Sequence, residues 1–145
     1  MRAGRRMIRL ARTALAIKPK RLPTVDYVRR KELPAAAAIY LAVHSGTVVY
    51  VGQTINLRQR WNHHQLNYIP KFTIKAARIA YFPESDKFNR ELLESLLIIV
   101  FRPKFNGHGI SADSKGVMSS NLRELLDRAR CKRMDWQEKP KGKSR

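Results

Sequence analysis

Six polar residues are spread through the middle of the chain, at Tyr40, Tyr50, Arg60, His64, Glu94 and Asn106. If the fold gathers them, they have the functional groups needed to cut a phosphodiester. The carboxylate could hold a cation, the guanidinium supplies a fixed positive charge, and the imidazole could move protons near neutral pH.

The elements that must carry these groups are legible one at a time. Ile39, Leu41 and Val43 alternate with Tyr40, Ala42 and His44, and Val48, Tyr50 and Gly52 alternate with Val49 and Val51. This predicts two half-buried strands around a Ser45-Gly46-Thr47 turn. With that loop His44 would face Val48 and Ala42 would face Tyr50, which puts both tyrosines on one side of the sheet as diagonal neighbours. Tyrosine is also a favoured strand residue, and most strand tyrosines only pack. Beyond the hairpin, Asn56 can cap a helix that Gln59 starts in the manner of a capping box. On that helix Arg60 and His64 lie four apart and share a face, whereas His63 points about a hundred degrees away. A solvated surface would account for the same two residues. A further helix is predicted from Asp86 as cap through Arg90 to Phe101, with Leu93, Leu96, Leu97 and Val100 at helical spacing and Pro103 closing it. Glu94 sits in line with Leu97, Ile98 and Phe101, an apolar stripe. A carboxylate there must be neutral, pair with a cation such as an arginine, or hold a metal.

Taken in order, Ala38-Ile39-Tyr40, Tyr50-Val51-Gly52, Asn56-Leu57, Arg60-Trp61, His64, Glu94 and Pro103-Lys104-Phe105-Asn106-Gly107 resemble the GIY-YIG nuclease domain over roughly Pro34 to Gly107. The resemblance implies an α/β (α+β) domain with a three-stranded antiparallel sheet flanked by helices, Ala76 to Phe82 forming the third strand. It also implies metal-dependent hydrolysis of nucleic acid. Tyr40 then stands as general base, Tyr50 as the second tyrosine near water and phosphate, and Arg60 as the cation opposite the phosphate. His64 would be a proton relay, Glu94 the single protein ligand of the divalent cation, and Asn106 an organiser of the site. Magnesium, or manganese in its place, suits one carboxylate plus waters. Ala38 replaces the first glycine of the family's name motif, a change of one methyl. Gln53 stands where the excision-repair branch has a lysine, which together with Arg60-Trp61 and His64 leans the chain toward the homing and restriction branches.

Charge organises the flanks. The chain carries a net +19 over 145 residues, with +9 in residues 1–33, +5 in 34–110 and +5 in 123–145. Such an excess implies a polyanionic partner, DNA first with RNA as the other polymer. Arg2, Arg5, Arg6, Arg9 and Arg12 fall on one helical face, opposite Ala3, Met7, Leu10 and Ala14, so the segment could lie along a nucleic-acid backbone, and Arg58 joins this nucleic-acid-binding set. An organelle presequence or a membrane-surface helix would share that pattern. The expected organisation is a basic arm over 1–33, a nuclease domain over 34–110, and a C-terminal helix and basic tail over 111–145. Within these, short helices are expected from Thr24 through Glu32 and from about Ser119 to Lys132. No stretch is apolar enough for a membrane span and no secretory core is visible. A single cysteine, Cys131, excludes a disulfide within the chain and fits a reducing, cytoplasmic setting.

The reading is a stand-alone endonuclease hydrolysing DNA. The alternatives are a non-catalytic basic nucleic-acid-binding protein that keeps the fold, against which the intact polar set argues, and a nuclease for branched or structured nucleic acid. One site per chain cuts one strand at a time, so a double-strand cut would need a dimer or two visits.

Overall fold

The computed structural model describes residues 2–63, 69–106 and 121–130. Its elements in chain order are α1 (Arg2–Ala16), β1 (Thr24–Asp26), β2 (Ala38–His44), β3 (Thr47–Thr54), α2 (Leu57–His63), α3 (Lys71–Lys75), β4 (Arg78–Pro83), α4 (Lys87–Phe101) and α5 (121–130). Short 3-10 turns occupy Pro19–Arg21 and Tyr27–Glu32. Among the described residues no helix is long and apolar enough to cross a membrane.

The sheet has four antiparallel strands in the order β1-β4-β2-β3, not three. The additional strand is Thr24–Asp26, part of the segment expected to be helical through Glu32. There Val25 and Thr24 pair with Ile79 and Ala80, and only the following Tyr27–Glu32 turns helically. Two β-branched residues beside an open sheet edge favour extension over a one-turn helix.

The hairpin between β2 and β3 pairs Ala42 with Tyr50 as expected, but His44 faces Thr47 rather than Val48. Its loop is the two-residue Ser45-Gly46, with φ of 50° and 77°, the left-handed pair that a tight hairpin turn requires. The register shifts between Ala42 and Val43, so Val49 is the extra residue of a bulge. Strict alternation then fails at one point. Val49 and Tyr50 both turn toward the face that carries Tyr40, while Val48 and Val51 turn to the other.

Both faces are covered, which makes β2 buried from Ala38 through Ala42 instead of half wet. On one side Ile39, Leu41, Val51 and Ala80 pack against Leu93, Leu96 and Leu97 of α4, Ile8, Leu10, Ala11 and Ala14 of α1, and Leu125, Leu126 and Ala129 of α5. On the other, Ala38, Tyr40, Ala42 and Ile79 meet Leu33, Leu57 and Trp61. Both flanks of the chain therefore contribute to one core with the sheet. The helix face pattern of α1 is thus a packing face, and its apolar residues are what an arm lying on a backbone would not need to bury.

The capping residues behave as their chemistry demands. Asp86 accepts from the Asn89 amide at 2.9 Å and starts α4, and Arg102 in the left-handed region (φ 47°) ends it just before Pro103. Asn56 accepts from the Gln59 amide at 3.1 Å. The reciprocal half of a capping box is supplied by Thr54, whose hydroxyl accepts from the Asn56 N–H at 3.1 Å.

Candidate active site

Tyr40 and Tyr50 lie on the same face, their rings stacked with centroids 6.2 Å apart at 25°. The Tyr40 ring also meets the edge of Trp61 at 5.4 Å. Its oxygen accepts a hydrogen bond from Arg60 Nε at 3.1 Å, so α2 delivers its guanidinium onto the strand pair. Tyr40 is 0% exposed, and burial pushes its phenol up to about 12, against the pull of the Arg60 charge; Tyr50 and Glu94 push the same way. Burial lowers the pKa of Arg60, but Tyr40 and Tyr50 outweigh it and the cation is held firmly charged.

Gly52 explains why the second motif ends in glycine. The Tyr40 ring lies over its Cα so closely that a β-carbon there would overlap the ring and hydroxyl. A glycine inside a strand is the sequence signal of such an approach.

Glu94 reaches the site from α4. Burial raises its carboxyl to about 7, opposed by the Gln53 backbone N–H and the Arg60 charge and aided by Glu91. The Glu94 charge is felt at Tyr40, so the carboxylate lies within electrostatic reach of that tyrosine. Arg90, one turn earlier and 4% exposed, is the arginine that could have neutralised Glu94. It instead donates to Gln53 Oε1 at 3.1 Å and to the Glu84 and Ser85 carbonyls at 3.1 and 2.8 Å. Among the described residues Glu94 forms no ion pair, and no cluster of three or more His, Cys, Asp or Glu exists. A single half-buried carboxylate that forms no ion pair among the described residues fits a hydrated divalent ion that keeps most of its waters.

Asn106 braces the open edge of β3. Its Oδ1 accepts from Val51 N at 2.8 Å and its Nδ2 donates to Val51 O at 2.8 Å, beside a backbone bond from Phe105 N to Val49 O. It holds the residue between Tyr50 and Gly52, which positions the tyrosine without touching it. His64 lies outside the described residues.

The basic residues divide. Arg6 bonds to Asp86 at 2.6 Å and to Asn89 at 2.9 Å and covers the Phe88 ring, so it ties α1 to the start of α4. Arg58 donates to the Leu33 carbonyl at 2.7 Å and is otherwise exposed. Arg5, Arg9 and Arg12 are exposed. Arg2 lies in α1, and its side chain falls outside what is described. The sequence reading missed Trp61 as the wall of the tyrosine pocket and Arg90 as the clamp on Gln53. Trp61 had a signal in its apolar bulk next to Arg60, whereas nothing local marks Arg90 as buried.

Residues 36–106 match the family model described as the GIY-YIG catalytic domain. Among solved structures the chain is similar to the GIY-YIG N-terminal endonuclease domain of UvrC from Thermotoga maritima. The magnesium-bound form aligns at 21% identity over 55% of this chain and 92% of that one, with a TM-score of 0.48. Two point mutants bound to the catalytic divalent cation align at 21% and 20% identity, each over 55% of this chain and 91% of that one, also with a TM-score of 0.48. The expected leaning toward the homing and restriction branches gains no support from these comparisons. No curated protein matches. The paired tyrosines, the arginine beneath them and the helix that brings the glutamate all lie within residues 36–106, the stretch that is matched as a GIY-YIG catalytic domain.

Proposed function

We propose that the protein is an endonuclease that hydrolyses DNA phosphodiester bonds with a divalent cation, magnesium or manganese, held by Glu94. The observation that carries this reading is the conjunction of an Arg60–Tyr40 hydrogen bond of 3.1 Å with a half-buried Glu94 carboxylate that Arg90 leaves unpaired. A bound cation would supply positive charge at the phosphate oxygens.

The residues of the chain do the rest. Arg60, fixed through Nε to Tyr40 and also bonded to Tyr50, would set its guanidinium charge against a phosphate oxygen, where charge builds up in the transition state. Tyr40 is assigned the water's proton. As packed its oxygen is sealed and protonated, so this role requires the substrate-bound site to uncover the oxygen and favour the phenolate. Tyr50, stacked on it and partly exposed, orients water or phosphate. Asn106 keeps the β3 edge in register beneath both. His64 is assigned the relay of the proton away from Tyr40.

Incubation of the purified protein with supercoiled plasmid and magnesium tests the reading. Nicked or linear product is expected from the wild type, with none in EDTA and none from Glu94→Ala, whose DNA binding should be nearly unchanged. Cleavage that survives EDTA, or an active Glu94→Ala, would overturn it.

A further inference from the structure

α1 carries more arginine than its packing uses. Arg5, Arg9 and Arg12 recur at i, i+4 and i+7 along its exposed side, and no acidic residue precedes Asp26 in the chain. Among the described residues none of the three forms an ion pair, in contrast to Arg6 on the same helix, which is spent on Asp86. Like charges one turn apart destabilise a helix, so the stripe costs stability unless something anionic faces it.

The stripe is one wall of a groove. Arg5, Arg9 and Arg12 line a depression of about 620 Å³ whose opposite wall is α5, with Arg128 and Glu124 along it and Leu125 in the lining. Four cations thus meet one carboxylate. Leu125, buried in the shared core, holds α5 against α1, so the groove is preformed rather than a loose arm. None of Tyr40, Tyr50, Arg60, Glu94 or Asn106 lines it. From Arg5 to Arg12 the helix rises about 10 Å, roughly three steps of a DNA strand along its axis.

We infer that the α1–α5 groove is a second nucleic-acid-binding surface, which holds the sugar-phosphate backbone of the substrate away from the cutting site and without sequence choice. The choice of a nucleic-acid backbone over other polyanions rests on the nuclease reading. The groove gives that reading its grip on DNA, because a single small active site neutralises few phosphates by itself. Each phosphate neutralised releases counterions, which makes the surface measurable by its salt dependence.

The test uses the full-length chain in EDTA and a fluorescein-labelled duplex, with affinity followed by anisotropy across potassium chloride concentrations. The combined Arg5→Ala, Arg9→Ala, Arg12→Ala variant should reduce the slope of log affinity against log salt by about 2 to 3, since each lost phosphate contact removes about 0.9. The loss should be the same for duplexes of unrelated sequence. Arginine-to-lysine changes at the same three positions should keep the slope, which separates charge from any effect on folding, and circular dichroism should show both variants as helical as the wild type. An unchanged slope in the alanine variant overturns the inference, as does an equal loss in the lysine variant. Loss of binding to phosphatidylserine vesicles with the DNA slope intact also overturns it and assigns the groove to a membrane surface. Plasmid cleavage is scored separately. A fallen slope in a protein that does not cut keeps the groove and removes the nuclease reading, whereas cutting with an unchanged slope does the reverse.

Discussion

At the scale of single residues, Glu94 and Arg60 are placed where they cost stability or would return rate. The Glu94 carboxyl, raised to about 7 in the fold from an ordinary 4.5, binds its proton more tightly folded than unfolded. Its contribution to stability therefore falls as pH rises from about 4.5 and levels off above about 7. In metal-free protein, Glu94→Gln should melt higher than wild type at pH 8, by on the order of 2 kcal/mol, and no higher at pH 4. Thermal denaturation in EDTA at both pH values checks this, and a wild type equally stable relative to the variant at both would contradict the burial. Arg60 carries the opposite expectation. Arg60→Ala removes the charge proposed to face the phosphate and should slow single-turnover cleavage by on the order of a hundredfold or more. Tyr40→Phe keeps the ring's packing on Trp61 and Gly52, deletes the acceptor of the Arg60 hydrogen bond, and should reduce the same rate more than Tyr50→Phe does. Wild-type turnover in Tyr40→Phe with an inactive Tyr50→Phe would reverse the two roles.

The β2–β3 hairpin is the element that makes the site. Its bulge at Val49 turns Tyr50 toward the face of Tyr40, and Asn106 holds the bulged strand by both backbone groups of Val51. Gly52 leaves room for the Tyr40 ring, and this is the tightest constraint in the hairpin. Gly52→Ala drives a methyl into the ring, so either the strand or the tyrosine must move. Overpacking of this kind costs about 1–3 kcal/mol, and the displaced phenol loses its bond to Arg60. The variant should therefore fold with a lower melting temperature and cut far more slowly. A Gly52→Ala protein that cleaves at the wild-type rate would mean that the close approach has no part in the site.

For the molecule as a whole, α1 is structural before it is anything else. Ile8, Leu10, Ala11 and Ala14 are buried against α4 and the sheet, and Arg6 ties the helix to Asp86 and Asn89. Burying three or four aliphatic side chains contributes several kcal/mol, a large part of the stability of a small domain. Deletion of residues 2–16 should then abolish cooperative unfolding or expose the core to dye binding, where removal of a free arm would leave the melting curve unchanged. Binding losses in such a truncation would report unfolding, so only substitutions on the exposed face can test what the arginines bind.

Local pattern alone determined a good deal. Period-two alternation gave β2 and β3, Asp86 and Pro103 bounded α4, and the order of Tyr40, Tyr50, Arg60, Glu94 and Asn106 pointed to the family because side-chain chemistry is written directly in residue type. The Ala42–Tyr50 pairing was legible too, since hairpin register is set within a dozen residues. What only the tertiary structure decided depends on partners distant in the chain. Val25 became a strand because β4 offered an edge, and β2 lost its wet face because Leu57 and Trp61 cover it. Arg90 is buried because Gln53 and two carbonyls satisfy its guanidinium, which leaves Glu94 unpaired. The arginine-rich helix read as an arm because amphipathicity shows that a face will be buried without showing against what, and α4 answers that only once the chain has folded.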